Sequence, residues 1–161
     1  MDFPRRKPAR LSHFDYSAPG AYFITICTKD HKCIFWANTE TSINAQQKPL
    51  LSKYGSIVEE AICNISVHYP AISVDQYVIM PNHVHLLLQI HTDEYGRPMV
   101  VPTISTVVQQ LKGVVTKYIG HSVWQKLFHD HVIRGERDYS KIWEYIANNP
   151  AKWTDDCFYI G

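Results

Sequence analysis

The sequence predicts an α+β domain in which helices pack on an antiparallel sheet. Three observations carry that expectation: β-branched and aromatic runs of strand length, stretches between them with apolar residues at helical spacing, and a Pro-Asn pair joining two runs as a hairpin. With 161 residues the chain fits one domain, and a chain of that size buries roughly 70% of its unfolded-state surface.

The first element is a strand from Gly20 to Thr28, bounded by Pro19-Gly20 and Lys29-Asp30. Residues 29–49 lack periodicity and are rich in Asn, Thr and Gln, which predicts a long surface loop around a small apolar plug, Ile34 to Trp36. Tyr54, Ile57, Val58, Ala61, Ile62 and Ile65 then recur at helical spacing, with Ser52 as N-cap and Pro70 beyond the end. Residues 71–80 and 83–90 read as strands, and Pro81-Asn82 supplies the tight turn between them. After a polar loop over 91–102, Ile104, Val107, Val108, Leu111, Val114, Val115, Tyr118 and Ile119 trace a second amphipathic helix, ended by Gly120 as a C-cap residue. Leu127 to Arg134 forms a further strand. Asp138 starts a third helix that carries Tyr139, Ile142, Trp143 and Ile146 inward and stops at Pro150.

The order strand, helix, strand, strand, helix, strand is the split βαβ pattern of ferredoxin-like and RRM-like sheets, here with one extra C-terminal helix. Fold alone says nothing about activity. The 45% hydrophobic and 19% charged residues are those of a soluble globular protein. Apolar runs such as Val84 to Leu88 are far shorter than a bilayer span, and no apolar run follows the opening residues, so no membrane association and a cytoplasmic location are expected. Cys27, Cys33, Cys63 and Cys157 are scattered without a CxxC pair, which argues for reduced thiols. A net charge of +1 excludes a nucleic-acid argument from overall charge. Any such surface must be local, and Arg5, Arg6, Lys7 and Arg10, interleaved with Pro4 and Pro8, form a basic arm that could hold phosphates.

Strand side chains alternate faces, so His83 and His85 project to one side while Val84, Leu86, Leu88 and Ile90 project to the other. Two neutral imidazoles on one strand, placed just after the Pro-Asn turn at the mouth of the sheet, can bind a divalent metal and leave positions open for a substrate oxygen. On the third helix Tyr145 and Asn149 are four residues apart and share a face away from Ile142 and Ile146. The amide oxygen could complete a metal site, and the phenol could attack a phosphodiester polarised by that metal. Lys141, one turn earlier, is a candidate helper, because tyrosine is a weak nucleophile without a nearby cation. A second pair, His129 and His131, is expected in structural or substrate-facing roles, given Trp124 and Phe128 nearby. His131 and Arg134 join Lys141 as candidates for supporting phosphate or substrate.

The block Tyr77-Val-Ile-Met-Pro-Asn-His-Val-His-Leu-Leu-Leu88 resembles the signature of HUH single-strand endonucleases of the single-tyrosine transposase family. The branch it most resembles is the REP-associated tyrosine transposases. Gly20-Ala-Tyr-Phe-Ile-Thr25, Phe128-His-Asp-His-Val-Ile-Arg134 and Tyr145-Ile-Ala-Asn-Asn-Pro150, with Lys152-Trp153 following, agree with it. The resemblance implies one HUH domain over residues 1–161, with a basic arm at 1–19 and a short tail at 154–161. It implies that His83 and His85 are metal ligands, that Asn149 is the third, and that Tyr145 is the nucleophile. The implied reaction is metal-dependent transesterification with magnesium or manganese: Tyr145 takes the 5′ phosphate of single-stranded DNA, releases a 3′ hydroxyl, and rejoins by reversal. The implied substrates are hairpins of repeated palindromes with a flanking single strand, for which Tyr16, Tyr22 and Trp153 are stacking candidates. The chain departs from the branch in being less basic and in stopping soon after the tyrosine helix. Monomer and homodimer both stay open. Two other function classes fit the same elements: a non-catalytic RRM-like nucleic-acid-binding module, and a metal-dependent phosphodiesterase using water.

Overall fold

The computed structural model describes residues 11, 13–39 and 47–160. Arg5, Arg6, Lys7 and Arg10 therefore lie outside the described residues.

Strands β1 (Gly20–Cys27), β2 (Ile72–Ile79), β3 (His83–Ile90) and β4 (His129–Val132) form one antiparallel sheet in the order β2-β3-β1-β4. Helices α1 (Lys53–Cys63), α2 (Ile65–His68), α3 (Ile104–Ile119) and α4 (Glu136–Asn148) surround it. Short 3-10 turns occupy Lys29–His31 and Pro150–Asp155. This is the ferredoxin-like arrangement expected, with β1 and β3 in the middle and α4 added after the last strand.

The two faces follow from side-chain alternation. Tyr22, Ile24, Ile26, Val84, Leu86, Leu88 and Ile90 point to one side, where Val58 and Ile62 of α1 and Val107, Leu111 and Val115 of α3 close the larger core. Each such buried side chain contributes about 1.5–3 kcal/mol relative to exposure. Ala21, Val78, Met80 and Leu87 point to the other side, where Ile146 of α4 meets Trp36 and Trp153. The second face is thinner in apolar residues, and it is the face that carries His83 and His85.

Local chemistry explains the boundaries. Ser52 caps α1 by accepting from the Gly55 amide at 3.1 Å. Gly55 must be glycine because a Cβ there would stand 2.2 Å from the Phe35 carbonyl oxygen, which is how the plug of the long loop sits against the helix. Phe35 is buried, and the Trp36 indole donates to the Ile79 carbonyl at 2.7 Å. Thr103 caps α3, and Gly120 closes it in the left-handed conformation at φ 98°. Helix α4 starts at Glu136, earlier than expected. Gly135 turns the chain at φ 90°, and the Asp138 carboxylate reaches back to accept from the Arg134 amide at 3.1 Å. Strand β4 is shorter than expected, pairing with β1 only from Tyr22↔Val132 to Thr25↔His129.

Several expectations are corrected. Trp143 is not an inward residue: it is 39% exposed and stacks on Tyr139 at the flank of the α4 stripe. Tyr22 and Trp153 are buried, and the Tyr22 hydroxyl donates to the Ala18 carbonyl. Tyr16 packs half-buried against the main core. The buried Tyr22 and Trp153 rings therefore present no free stacking surface. Among the described residues no helix is long and apolar enough to cross a membrane.

Candidate active site

His83 and His85 project from β3 on the α4 side, at the end where the Pro81-Asn82 turn joins β2. That turn is anchored: the Pro81 carbonyl accepts from the Ile34 and Phe35 amides, and the Asn82 carbonyl from the Thr28 amide. The two rings were expected at an open mouth of the sheet. They are instead 0% and 2% exposed, because Phe158 lies against His83 at a ring separation of 4.6 Å and Tyr145 against His85 at 5.3 Å.

Hydrogen bonding determines which nitrogen each ring offers. The Asn82 amide nitrogen donates to the carbonyls of His31 at 3.3 Å and Phe158 at 2.8 Å. Its oxygen therefore faces His83 Nδ1 at 2.8 Å, so Nδ1 carries the proton and Nε2 presents a lone pair. His85 Nδ1 meets the Thr25 hydroxyl at 2.8 Å, leaving its Nε2 directed at His83 Nε2 at 3.1 Å. Outer groups that orient ligand histidines in this way are a usual feature of metal sites.

The remaining walls come from the segment after β4. The Asp156 carboxylate, fully buried, approaches His83 Nε2 at 3.7 Å. Its Oδ2 and the Oδ1 of Asn149 are buried without a hydrogen-bond partner among the described residues. The donor atoms of His83, His85 and Asp156 lie within 4.8 Å of one another. Two imidazole nitrogens facing each other, beside two orphaned carbonyl or carboxylate oxygens, form a donor set suited to a divalent cation, whose bonds of about 2.1 Å match such spacing. The residues present therefore fit a metal.

The electrostatics agree. Burial depresses the His83 imidazole to about 4, against an opposing pull from Asp156. His85 is held well below the ordinary histidine range by burial and then by His83. Both rings are thus neutral, the form that binds metal. The Tyr145 phenol is raised by burial, then by Asp156 and Cys157, while the Asn149 amide pulls it down.

Of the residues singled out from sequence, the structure brings His83, His85, Tyr145 and Asn149 together within one chain. Tyr145 also rests edge-on against Phe23, at 6.1 Å. Lys141 is exposed and lines a cleft of about 480 Å³ with Tyr145, Asn149, Lys152 and Asp156. His131 is bonded to Asp138 at 2.7 Å. Arg134 is exposed, its amide engaged by Asp138. His129 and His131 are both exposed. Asp156 and Phe158 were missed. They fall in what reads as a short polar tail, and no periodicity there signals that the chain turns back under the sheet.

No family model matches the chain. An uncharacterized protein of Haemophilus influenzae is 34% identical, over 96% of this chain and 93% of its own length. Two proteins bearing the name REP-associated tyrosine transposase are also similar. The one from Haemophilus influenzae, named provisionally, is 26% identical over 86% of this chain and 74% of its own; the one from Escherichia coli is 25% identical over 73% and 66%. A solved structure of a REP-associated tyrosine transposase bound to a REP hairpin superposes with a TM-score of 0.60 at 21% identity, covering 89% of this chain and 74% of that one.

Proposed function

Since the chain belongs to the REP-associated tyrosine transposase branch of the HUH single-tyrosine transposases, we propose that it cuts and rejoins single-stranded DNA beside palindromic hairpins through a 5′-phosphotyrosine on Tyr145. Membership makes it an enzyme of the transposase kind, acting on DNA. The observation that carries the finer reading is the Tyr145 ring set 5.3 Å from the His85 ring, beside imidazole nitrogens 3.1 Å apart. The hairpin bound by the structural relative supports hairpin DNA as the substrate class.

His83, His85, Asn149 and Asp156 are the residues that would hold the cation. Bound there, magnesium or manganese supplies Lewis-acid polarisation of the scissile phosphate. Everything else is the work of side chains. Asn82 and Thr25 hold the two imidazoles in fixed orientations, so the donor pair needs no rearrangement to receive a ligand. The phenol, raised by burial and then by Asp156 and Cys157, keeps its proton in the resting site. Lys141 and Lys152 flank the cleft and can neutralise neighbouring phosphates. Attack by Tyr145 forms the tyrosyl–phosphorus bond and breaks the bond to the 3′ oxygen. The energy of the diester is kept in the phosphotyrosine, so the released 3′ hydroxyl can reverse the step without ATP.

The test is denaturing electrophoresis after incubation with labelled hairpin DNA carrying a single-stranded flank, with manganese. The wild-type chain is expected to give a covalent adduct that is lost with chelator and in Tyr145→Phe. Cleavage without an adduct, surviving Tyr145→Phe, would instead identify a phosphodiesterase using water. Binding that is indifferent to chelator, with no cleavage, would identify a non-catalytic module.

A further inference from the structure

The second His-x-His, on β4, has no part in that reading. Val132 packs into the core beneath α1 and α3, so alternation sends His129 and His131 to the opposite face, the one carrying His83, His85 and Tyr145. The register is more specific. Thr25 pairs with His85 on one side and with His129 on the other, so His85, Thr25 and His129 form one row across three strands. His131 is engaged by Asp138 at the first turn of α4. His129 is exposed, as His131 is.

Helix α4 packs on β2 and β3, so Tyr145 reaches this row from the β2 and β3 side, resting against His85 and Phe23. In phosphoryl transfer the attacking and leaving oxygens lie roughly in line across phosphorus. A phosphate beside His85, attacked from the α4 side, therefore turns its leaving oxygen toward β4. Two strand spacings, about 10 Å, separate the His85 and His129 backbones, a span that the two side chains and one phosphate fill.

Resting on the reading of Tyr145 as nucleophile, we propose that His129 is the general acid and base for the 3′ oxygen. In cleavage the bond from Tyr145 Oη to phosphorus forms, and the phosphorus–O3′ bond breaks with its electron pair moving to O3′. The His129 imidazolium gives O3′ a proton, and the phenolic proton passes to water. In rejoining, neutral His129 takes the proton from the 3′ hydroxyl as that oxygen attacks phosphorus; the bond to Tyr145 Oη breaks with its electron pair moving to that oxygen, which takes a proton from water. An imidazole nitrogen can both give and take a proton, so one side chain serves both directions.

The experiment compares His129→Gln with the wild-type chain in single-turnover adduct formation, with manganese, on two hairpin substrates. One has the ordinary scissile diester; the other has sulfur in place of the bridging 3′ oxygen, a leaving group that departs without a proton. His129 is exposed, so the variant is expected to unfold at the wild-type temperature. On the ordinary substrate it is expected to be slower by about 100-fold or more, and on the sulfur substrate to match the wild type. Equal slowing on both substrates would make His129 a binding group only and overturn the proposal, as would no slowing on either. If the wild-type chain forms no adduct with either substrate, the nucleophile assignment itself falls and the role of His129 with it.

Discussion

His83 and His85 are ionisable groups placed where water cannot reach them, and that has a cost that depends on pH. In the unfolded chain an imidazole binds its proton near pH 6.5; in the folded protein burial depresses His83 to about 4 and His85 well below the ordinary range. Between those values the unfolded chain holds more protons, so stability rises with pH across the window. It is fully present above about 6.5 and is lost as the pH falls toward 4. We expect the thermal midpoint of the metal-free protein, measured in chelator, to drop by about 5 °C or more from pH 7 to pH 4.5. A midpoint independent of pH over that range would mean that the imidazoles are not neutral and buried together.

At the scale of elements, α4 is the piece whose docking brings Tyr145 and the two imidazoles together. It is held by little: Ile146 is its one fully buried residue among those described, with Tyr139 and Ile142 half-buried beside it. The Tyr139 hydroxyl adds a bond to Asp75, at 2.7 Å, beside the bulge in β2. Ile146→Ala is expected to cost about 2–5 kcal/mol in urea unfolding, the range for large-to-small core substitutions. It should also reduce adduct formation, because Tyr145 loses its footing one residue away. Wild-type stability in the variant would show that α4 is held chiefly by the segment after it. That segment is well anchored: Trp153 packs against Trp36, His83 and Tyr159.

The molecule as a whole is nearly neutral, at +1, so its grip on DNA must come from a few local cations. Lys141 and Lys152 are the ones lining the cleft beside Tyr145. If they and one or two neighbours account for the phosphate contacts, log affinity for hairpin DNA should fall with log salt at a slope of about −2 to −3, read by fluorescence anisotropy. A slope near −6 or steeper would instead assign a large part of the binding to Arg5, Arg6, Lys7 and Arg10, the basic arm outside the described residues.

Much of the fold was legible because it is written in short-range periodicity. Alternation placed His83 and His85 opposite Val84 and Leu86, the caps Ser52 and Gly120 ended their helices as expected, and a spacing of four put Tyr145 and Asn149 on one side of α4. What the pattern of residues could not reveal is which distant segment covers an exposed-looking face. Asp156 and Phe158 reach His83 across more than seventy positions, the Thr25 hydroxyl meets His85 across sixty, and Trp143 lies outside the core although its spacing nearly matches the inward stripe. The residue types and their local faces were determined by the sequence alone. The closure of the site, its dryness and the depressed imidazoles were decided only by tertiary structure, because desolvation depends on what is packed above a side chain, and periodicity records only the direction in which it points.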